Sequence, residues 1–263
     1  MSILQEILKH KKEEVQSVKT DLPLSELRTK IKDMEPVRPF KTAIERQEQE
    51  EVRLIAEVKK ASPSQGVIRT DFSLPQILSV YEKKEVSAIS VLTEKRYFQG
   101  SLSYLNQARK KTSRPLLRKD FIFDEYQVYE SRANYADAIL LIVAALEKPQ
   151  LTDLYYLAKE LSLDCLLEVH NWKELDTALY LGAEVIGINN RDLTTLNISL
   201  DISFNLLKDI PYDRIVVSES GIHTRADVEA INRTRTDAVL VGTTIMQADD
   251  MGKKIDELLG KNG

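Results

Sequence analysis

Eight short apolar runs, each followed by a stretch of helical patterning, constrain this chain more than any other feature. They occupy residues 54–58, 88–92, 115–119, 138–143, 165–169, 185–189, 214–218 and 238–242. Most are nearly continuous in Val, Ile and Leu, the pattern of strands buried on both faces of a parallel sheet. Eight such strands alternating with helices favour closure into an α/β (β/α)8 TIM barrel. The alternative, an open doubly wound sheet, usually carries a glycine-rich turn after its first strand. Here the first strand runs into Lys59-Lys60-Ala61-Ser62-Pro63-Ser64, without glycine.

Residues 1–50 carry no strand-like run. Ile3, Leu4, Ile7 and Leu8 recur at helical spacing, and Leu22, Leu24, Leu27 and Ile31 do so after a break. A loop with Pro36 and Pro39 follows, and then a short charged helix is expected up to about Gln49. The chain of 263 residues therefore reads as one domain. Its expected parts are a helical N-terminal extension over 1–50, packed on the barrel, and eight βα units over 51–263. Barrels of this type run to about 250 residues as single domains.

Composition removes several function classes. The net charge is −4, whereas nucleic-acid and anionic-membrane surfaces need clustered positive charge. No nucleic-acid or membrane partner is expected, and a local positive pocket for a small anion stays possible. The longest apolar stretch, 138–146, falls short of the roughly 18 residues of a membrane span. It reads as a buried strand running into a loop. The N-terminal segment is amphipathic and charged, without the apolar core of a signal peptide. The lone Cys165 rules out an internal disulfide and suits a reducing cytosol. A cytoplasmic location and a monomer are expected, with a dimer left open. His10, His170 and His223 are scattered, with no metal-ligand spacing, so neither metal nor cofactor is expected.

The informative residues are charges set into otherwise apolar strands, because a buried charge needs a partner or a task. Strand side chains alternate between faces. If Ala56 and Val58 face the helices, Glu57 and Lys59 face the barrel mouth. The same parity groups Leu117 with Lys119, Leu166 with Glu168 and His170, Gly187 with Asn189 and Arg191, and Val217 with Glu219. Taken singly, each is explained as well by an exposed strand end or a structural ion pair as by a task in a site. Glu57, Lys59, Lys119, Glu168 and Asn189 taken together point to one cluster at the C-terminal mouth, where TIM barrels build their active sites. Converging lysines and glutamates shift one another's pKa values and so make acids and bases that work near neutral pH.

The ends of the last two strands suit a phosphate. Ser218-Glu219-Ser220-Gly221 and Val241-Gly242-Thr243-Thr244 place small residues where backbone N–H groups meet an anion. The common barrel phosphate site lies in the loops after strands 7 and 8. Ser220, Gly221, Gly242 and Thr243 are the candidates.

The segment Ile55-Ala56-Glu57-Val58-Lys59-Lys60-Ala61-Ser62-Pro63-Ser64 resembles the signature of the indole-3-glycerol-phosphate synthase family, barrel enzymes of tryptophan biosynthesis. Leu92-Thr93-Glu94, Arg118-Lys119-Asp120-Phe121, Leu167-Glu168-Val169-His170, Ile188-Asn189-Asn190-Arg191-Asp192-Leu193, Ser218-Glu219-Ser220-Gly221-Ile222 and Val241-Gly242-Thr243 match the same family in order. The first motif is long and specific; the last is shared with many phosphate-binding barrels. The resemblance implies a carboxy-lyase that closes the ring of 1-(2-carboxyphenylamino)-1-deoxyribulose 5-phosphate, giving indole-3-glycerol phosphate, carbon dioxide and water. It points to Lys119 as general acid and Glu168 as its partner or base. Lys59 would meet the substrate carboxylate or donate in the dehydration, and Glu57 would act as base or orient the lysines. Asn189 would hydrogen-bond the substrate, with Arg191 nearby and Ser62 on the rim. Phe98, Phe121, Leu140 and Leu196 would flank the aromatic ring. Gln65 departs from the lysine common in the family, which bears on substrate affinity or loop closure. Two other readings stay open: a sister phosphosugar barrel such as a phosphoribosylanthranilate isomerase, and a silent barrel that only binds a phosphorylated metabolite or a partner protein.

Overall fold

A computed structural model describes residues 3–47, 49–192, 195 and 197–261. Eight parallel strands form a closed ring: β1 Arg53–Val58, β2 Ala88–Leu92, β3 Leu116–Lys119, β4 Ala138–Ile142, β5 Asp164–Val169, β6 Val185–Asn189, β7 Ile215–Glu219 and β8 Ala238–Val241. They neighbour one another in chain order, and β1 pairs with β8 to close the ring. A two-residue hairpin, Ala61–Ser62 against Gly66–Val67, follows β1 and was not anticipated from the sequence.

The strand parity follows the sequence pattern. Ile55, Leu117, Leu140, Leu166, Val217 and Leu240 pack together inside the barrel. Ala56, Val58, Ile139, Leu167, Val216 and Val239 pack outward against the helices. Both faces are therefore apolar, which is why alternation is faint in the sequence. The helices begin at local signals. Asp124 and Thr224 form capping boxes with Gln127 and Asp227, and Asn171 caps Trp172–Leu181. Cys165 is buried at the start of β5, the end away from the mouth. Among the described residues, no helix is long and apolar enough to cross a membrane.

The N-terminal extension forms helices at Ile3–Asp21, Leu24–Lys32 and Phe40–Ile44. The third stops at Ile44 rather than near Gln49. Glu45 is extended at φ −68°, ψ 127°. Next to it the Arg46 guanidinium donates to the carbonyls of Asn232, Thr234 and Thr236, drawing the chain across the foot of the barrel. Phe40 and Ile44 are fully buried and join the barrel-interior cluster, so this short helix plugs the N-terminal end. Aspartates near the feet of three strands hold the plug. Asp137 accepts from the backbone N–H of Arg38 at 2.6 Å, Asp164 from Lys41 at 2.8 Å and Asp237 from Arg46 at 3.2 Å. Truncating Phe40 to alanine would cost about 3–5 kcal/mol by the usual cavity relation. With the foot sealed, the mouth is the open end of the barrel.

Candidate active site

The mouth holds a cavity of about 340 Å³. Strand register stacks the charged residues around it. Leu92 lies beside Lys119, Ile142 and Gly187 flank Glu168, and Asn189 lies beside Glu219. Glu57, Lys59, Lys119, Glu168, Asn189 and Arg191 all line the wall. Phe98, Phe121 and Leu140 form its apolar side, with the two phenyl rings 6.1 Å apart. Ser220, Gly221, Gly242 and Thr243 line the opposite rim. Leu196 lies outside the described residues. Ser62 is buried and does not line the cavity. The chain folds back over Ser62–Gly66, and Gln65 at the turn reaches the wall instead, where its side chain accepts from Gln247.

Lys119 is the hub. Its ammonium donates to Glu168 at 2.9 Å and also to Glu219. Burial lowers its pKa, but the carboxylates of Glu168, Glu219 and Glu57 outweigh burial and hold it above the ordinary lysine value. Glu168 and Glu219 share this cation unequally. Burial raises both. For Glu168, the charges of Lys119 and His170 win and keep it well below the usual carboxylate range. Glu219 has Lys119 but faces the negative charges of Glu168 and Glu57, and it is pushed up to about 7. The shared surroundings thus lower one glutamate of the coupled pair and raise the other. A second pair sits beside them: Lys59 lies 3.2 Å from Glu57, which also accepts from Ser90 at 3.4 Å.

Two glycines make room for these carboxylates. A Cβ at Gly187 would lie 2.3 Å from Oε1 of Glu219, and one at Gly242 would lie 2.4 Å from Oε1 of Glu57. The role expected for Gly242 was approach to an anion; its tight neighbour in the structure is a carboxylate of the site itself. At the end of β7 the backbone turns through two consecutive left-handed residues, Ser220 at φ 68° and Gly221 at φ 79°. Asn190 pins this turn. Its amide donates to the carbonyls of Glu219 at 3.0 Å and Ser220 at 3.1 Å, and its oxygen accepts from Ser203.

Several contributors escaped the residue pattern. Glu219 has the right parity, but it sits in a serine-rich stretch that reads first as a phosphate loop. Asn190 points away from the barrel axis, so alternation sets it aside. Glu94 accepts the backbone N–H groups of Arg96, Tyr97 and Phe98 at 2.7–3.0 Å, which fixes Phe98 at the cavity. Its only signal was its place in a matched motif. Leu4, from the first helix, also reaches the wall.

A closed barrel with a lysine–carboxylate cluster and two small-residue loops at its C-terminal mouth defines a (β/α)8 acid–base enzyme site. The indole-3-glycerol phosphate synthase family model matches residues 4–258. The chain is 49% identical over 256 residues to the indole-3-glycerol phosphate synthase of Alkaliphilus metalliredigens, covering 97% of each. It is 46% identical to that of Thermoanaerobacter pseudethanolicus, covering 98% of this chain and 97% of the relative. Among solved structures, 3-hexulose-6-phosphate synthase from Salmonella typhimurium superimposes with a TM-score of 0.65 at 14% identity, covering 80% of this chain and 97% of that one, a likeness of fold. The chain belongs to the indole-3-glycerol phosphate synthase family.

Proposed function

We propose that this chain converts 1-(2-carboxyphenylamino)-1-deoxyribulose 5-phosphate to indole-3-glycerol phosphate, carbon dioxide and water, as a carboxy-lyase of tryptophan biosynthesis. The observation that carries the reading is the Lys119 ammonium gripped by Glu168 and Glu219 beside the Phe98–Phe121 wall. The substrate's aromatic ring packs on that wall and on Leu140. Its phosphate sits across the cavity against Ser220, Gly221, Gly242 and Thr243. The ring carbon bearing the carboxylate then attacks the ribulose carbonyl.

That carbonyl oxygen gathers negative charge as the bond forms. Lys119 donates to it, and its proton passes only once the oxygen has become basic enough. Loss of carbon dioxide restores aromaticity. Dehydration then needs an acid for the leaving hydroxyl and a base that takes the ring N–H proton as the hydroxyl leaves, after which the neighbouring methylene loses a proton and the nitrogen regains one. Glu168, held ionised, supplies the base, with Glu57 as the second candidate. Lys59, paired with Glu57, meets the substrate carboxylate or protonates the hydroxyl. Asn189 and Arg191 bind the polar part of the substrate. We also read the chain as a single-domain monomer that works in the cytoplasm without a cofactor.

Adding the substrate to purified protein in the presence of a chelator should give a rise in indole fluorescence. Lys119→Ala should lose roughly 10² or more of the turnover, as expected for a positioned proton donor. Full turnover in a folded Lys119→Ala protein would remove Lys119 from the reaction. No rise with the folded, phosphate-binding parent protein would favour the sister isomerase or the silent barrel.

A further inference from the structure

His170 follows β5 directly and shares the inward parity of Glu168, but it does not line the cavity. Its imidazole lies between two carboxylates. Nδ1 is 2.9 Å from Oε2 of Glu174, and Nε2 is 3.4 Å from Oε1 of Glu168. Glu174 is itself anchored, accepting from the His170 backbone N–H at 2.8 Å and from the Asn171 amide at 2.6 Å. Asn171 in turn caps the helix Trp172–Leu181 that carries Glu174. The ring is therefore fixed from the helix side and aimed at the site.

Nδ1 bonds Glu174, while the buried Nε2 has no hydrogen-bond partner among the described residues and meets Glu168 only as an ion-pair contact. A bare nitrogen lone pair facing that carboxylate would repel it, which calls for a proton on each nitrogen. The charged groups facing the ring are Glu168 from β5 and Glu174 from the following helix, with Lys119 of β3 behind Glu168. Burial works against the cation, and the two carboxylates overcome it. Glu168 then has one cation per oxygen: Lys119 at Oε2 and His170 at Oε1. Glu219 has Lys119 alone, and its Oε1 is buried without a hydrogen-bond partner among the described residues. Glu168 thus has one more cation than Glu219, which also faces the charges of Glu168 and Glu57.

We propose that His170 is a positioning residue: clamped by Glu174, it fixes the Glu168 carboxylate toward Lys119 and keeps it ionised beside the other two glutamates. This rests on the reading of Glu168 as the base. Without His170, Glu168 and Glu219 would compete for one ammonium, and like charges sharing one cation drive one of them to take a proton.

The test uses His170→Asn and Glu174→Gln in the full chain, with pH profiles of turnover and carbon-13 and nitrogen-15 NMR of His170 and Glu168. In the parent, the His170 ring should stay protonated at pH 7. His170→Asn should lower kcat about 10-fold at pH 7 and move the acid limb up by about one unit, the free-energy scale of one lost charge partner. KM should change less than about 2-fold, because uniform substrate binding is untouched. Glu174→Gln should fall between the two, and it carries the test if His170→Asn does not fold. A neutral His170 ring at pH 7, or a His170→Asn profile superimposable on the parent, overturns the proposal. So does a loss confined to KM. If the parent forms no indole product, the Glu168 carboxyl resonance still decides: its titration must move up on losing His170, and an unmoved titration refutes the role.

Discussion

The ammonium of Lys11, from the first helix of the extension, lies 3.0 Å from Oδ1 of Asp120, the residue after Lys119. Both groups are buried, at 4% and 2% exposure. Asp120 also pairs with Arg118 at 3.1 Å and accepts the Phe121 backbone N–H at 2.8 Å. Burial would raise its pKa, but the two cations hold it at about 2. The extension thereby reaches the segment that carries both Lys119 and Phe121. Lys11→Met should destabilise the fold toward the low end of about 3–5 kcal/mol, since Arg118 stays to share the charge. Urea unfolding measures this, and a loss under about 1 kcal/mol would make the pair a bystander.

Glu219 is the carboxylate of the coupled set that burial and its acidic neighbours push up, to about 7. Glu219→Gln keeps the shape and removes the proton exchange. The parent's pH profile for kcat should show a limb around pH 7, belonging to the coupled carboxylates as a set. That limb should vanish in Glu219→Gln, leaving a flatter profile. If it persists unchanged, the limb belongs to another group.

Gly242 serves two neighbours at once. Any side chain there meets the Glu57 carboxylate at 2.4 Å and crowds the loop assigned to phosphate. Gly242→Val should raise KM and the inhibition constant of inorganic phosphate together. It should also lower kcat through the displaced Glu57, for a combined loss of roughly 10² in kcat/KM. Steady-state kinetics with phosphate as competitor separates the effects, and an unchanged KM would remove the phosphate assignment.

Stability should fall on the alkaline side because of His170. Its folded pKa is raised to about 10 from 6.5. A raised basic group contributes stability that is complete below its unfolded value and is lost as pH rises through the folded one. Urea midpoints should therefore decline between about pH 6.5 and 10, and His170→Asn should flatten that decline. Equal slopes for both proteins would show that His170 carries no such charge.

Much of this arrangement is written locally. Near-continuous Val, Ile and Leu runs mark strands covered on both faces, and their number marks closure. Alternation then assigns Glu57, Lys119, Glu168 and Asn189 to the mouth, because a strand's side chains reverse face at every residue. What pattern leaves open is set by contacts between distant segments. Glu168 and Glu219 share the same strand parity, and the placement of Lys119, His170 and Glu57 around them lowers one and raises the other. Ser62 is the rim candidate by sequence, yet it is buried off the cavity while Gln65, past the hairpin turn, reaches the wall. The extension reads as an appendage, yet Phe40 and Ile44 plug the barrel foot and Lys11 reaches Asp120. Periodicity is a property of neighbours in the chain. Charge state and enclosure depend on which groups burial forces together, and that is settled only when the barrel closes.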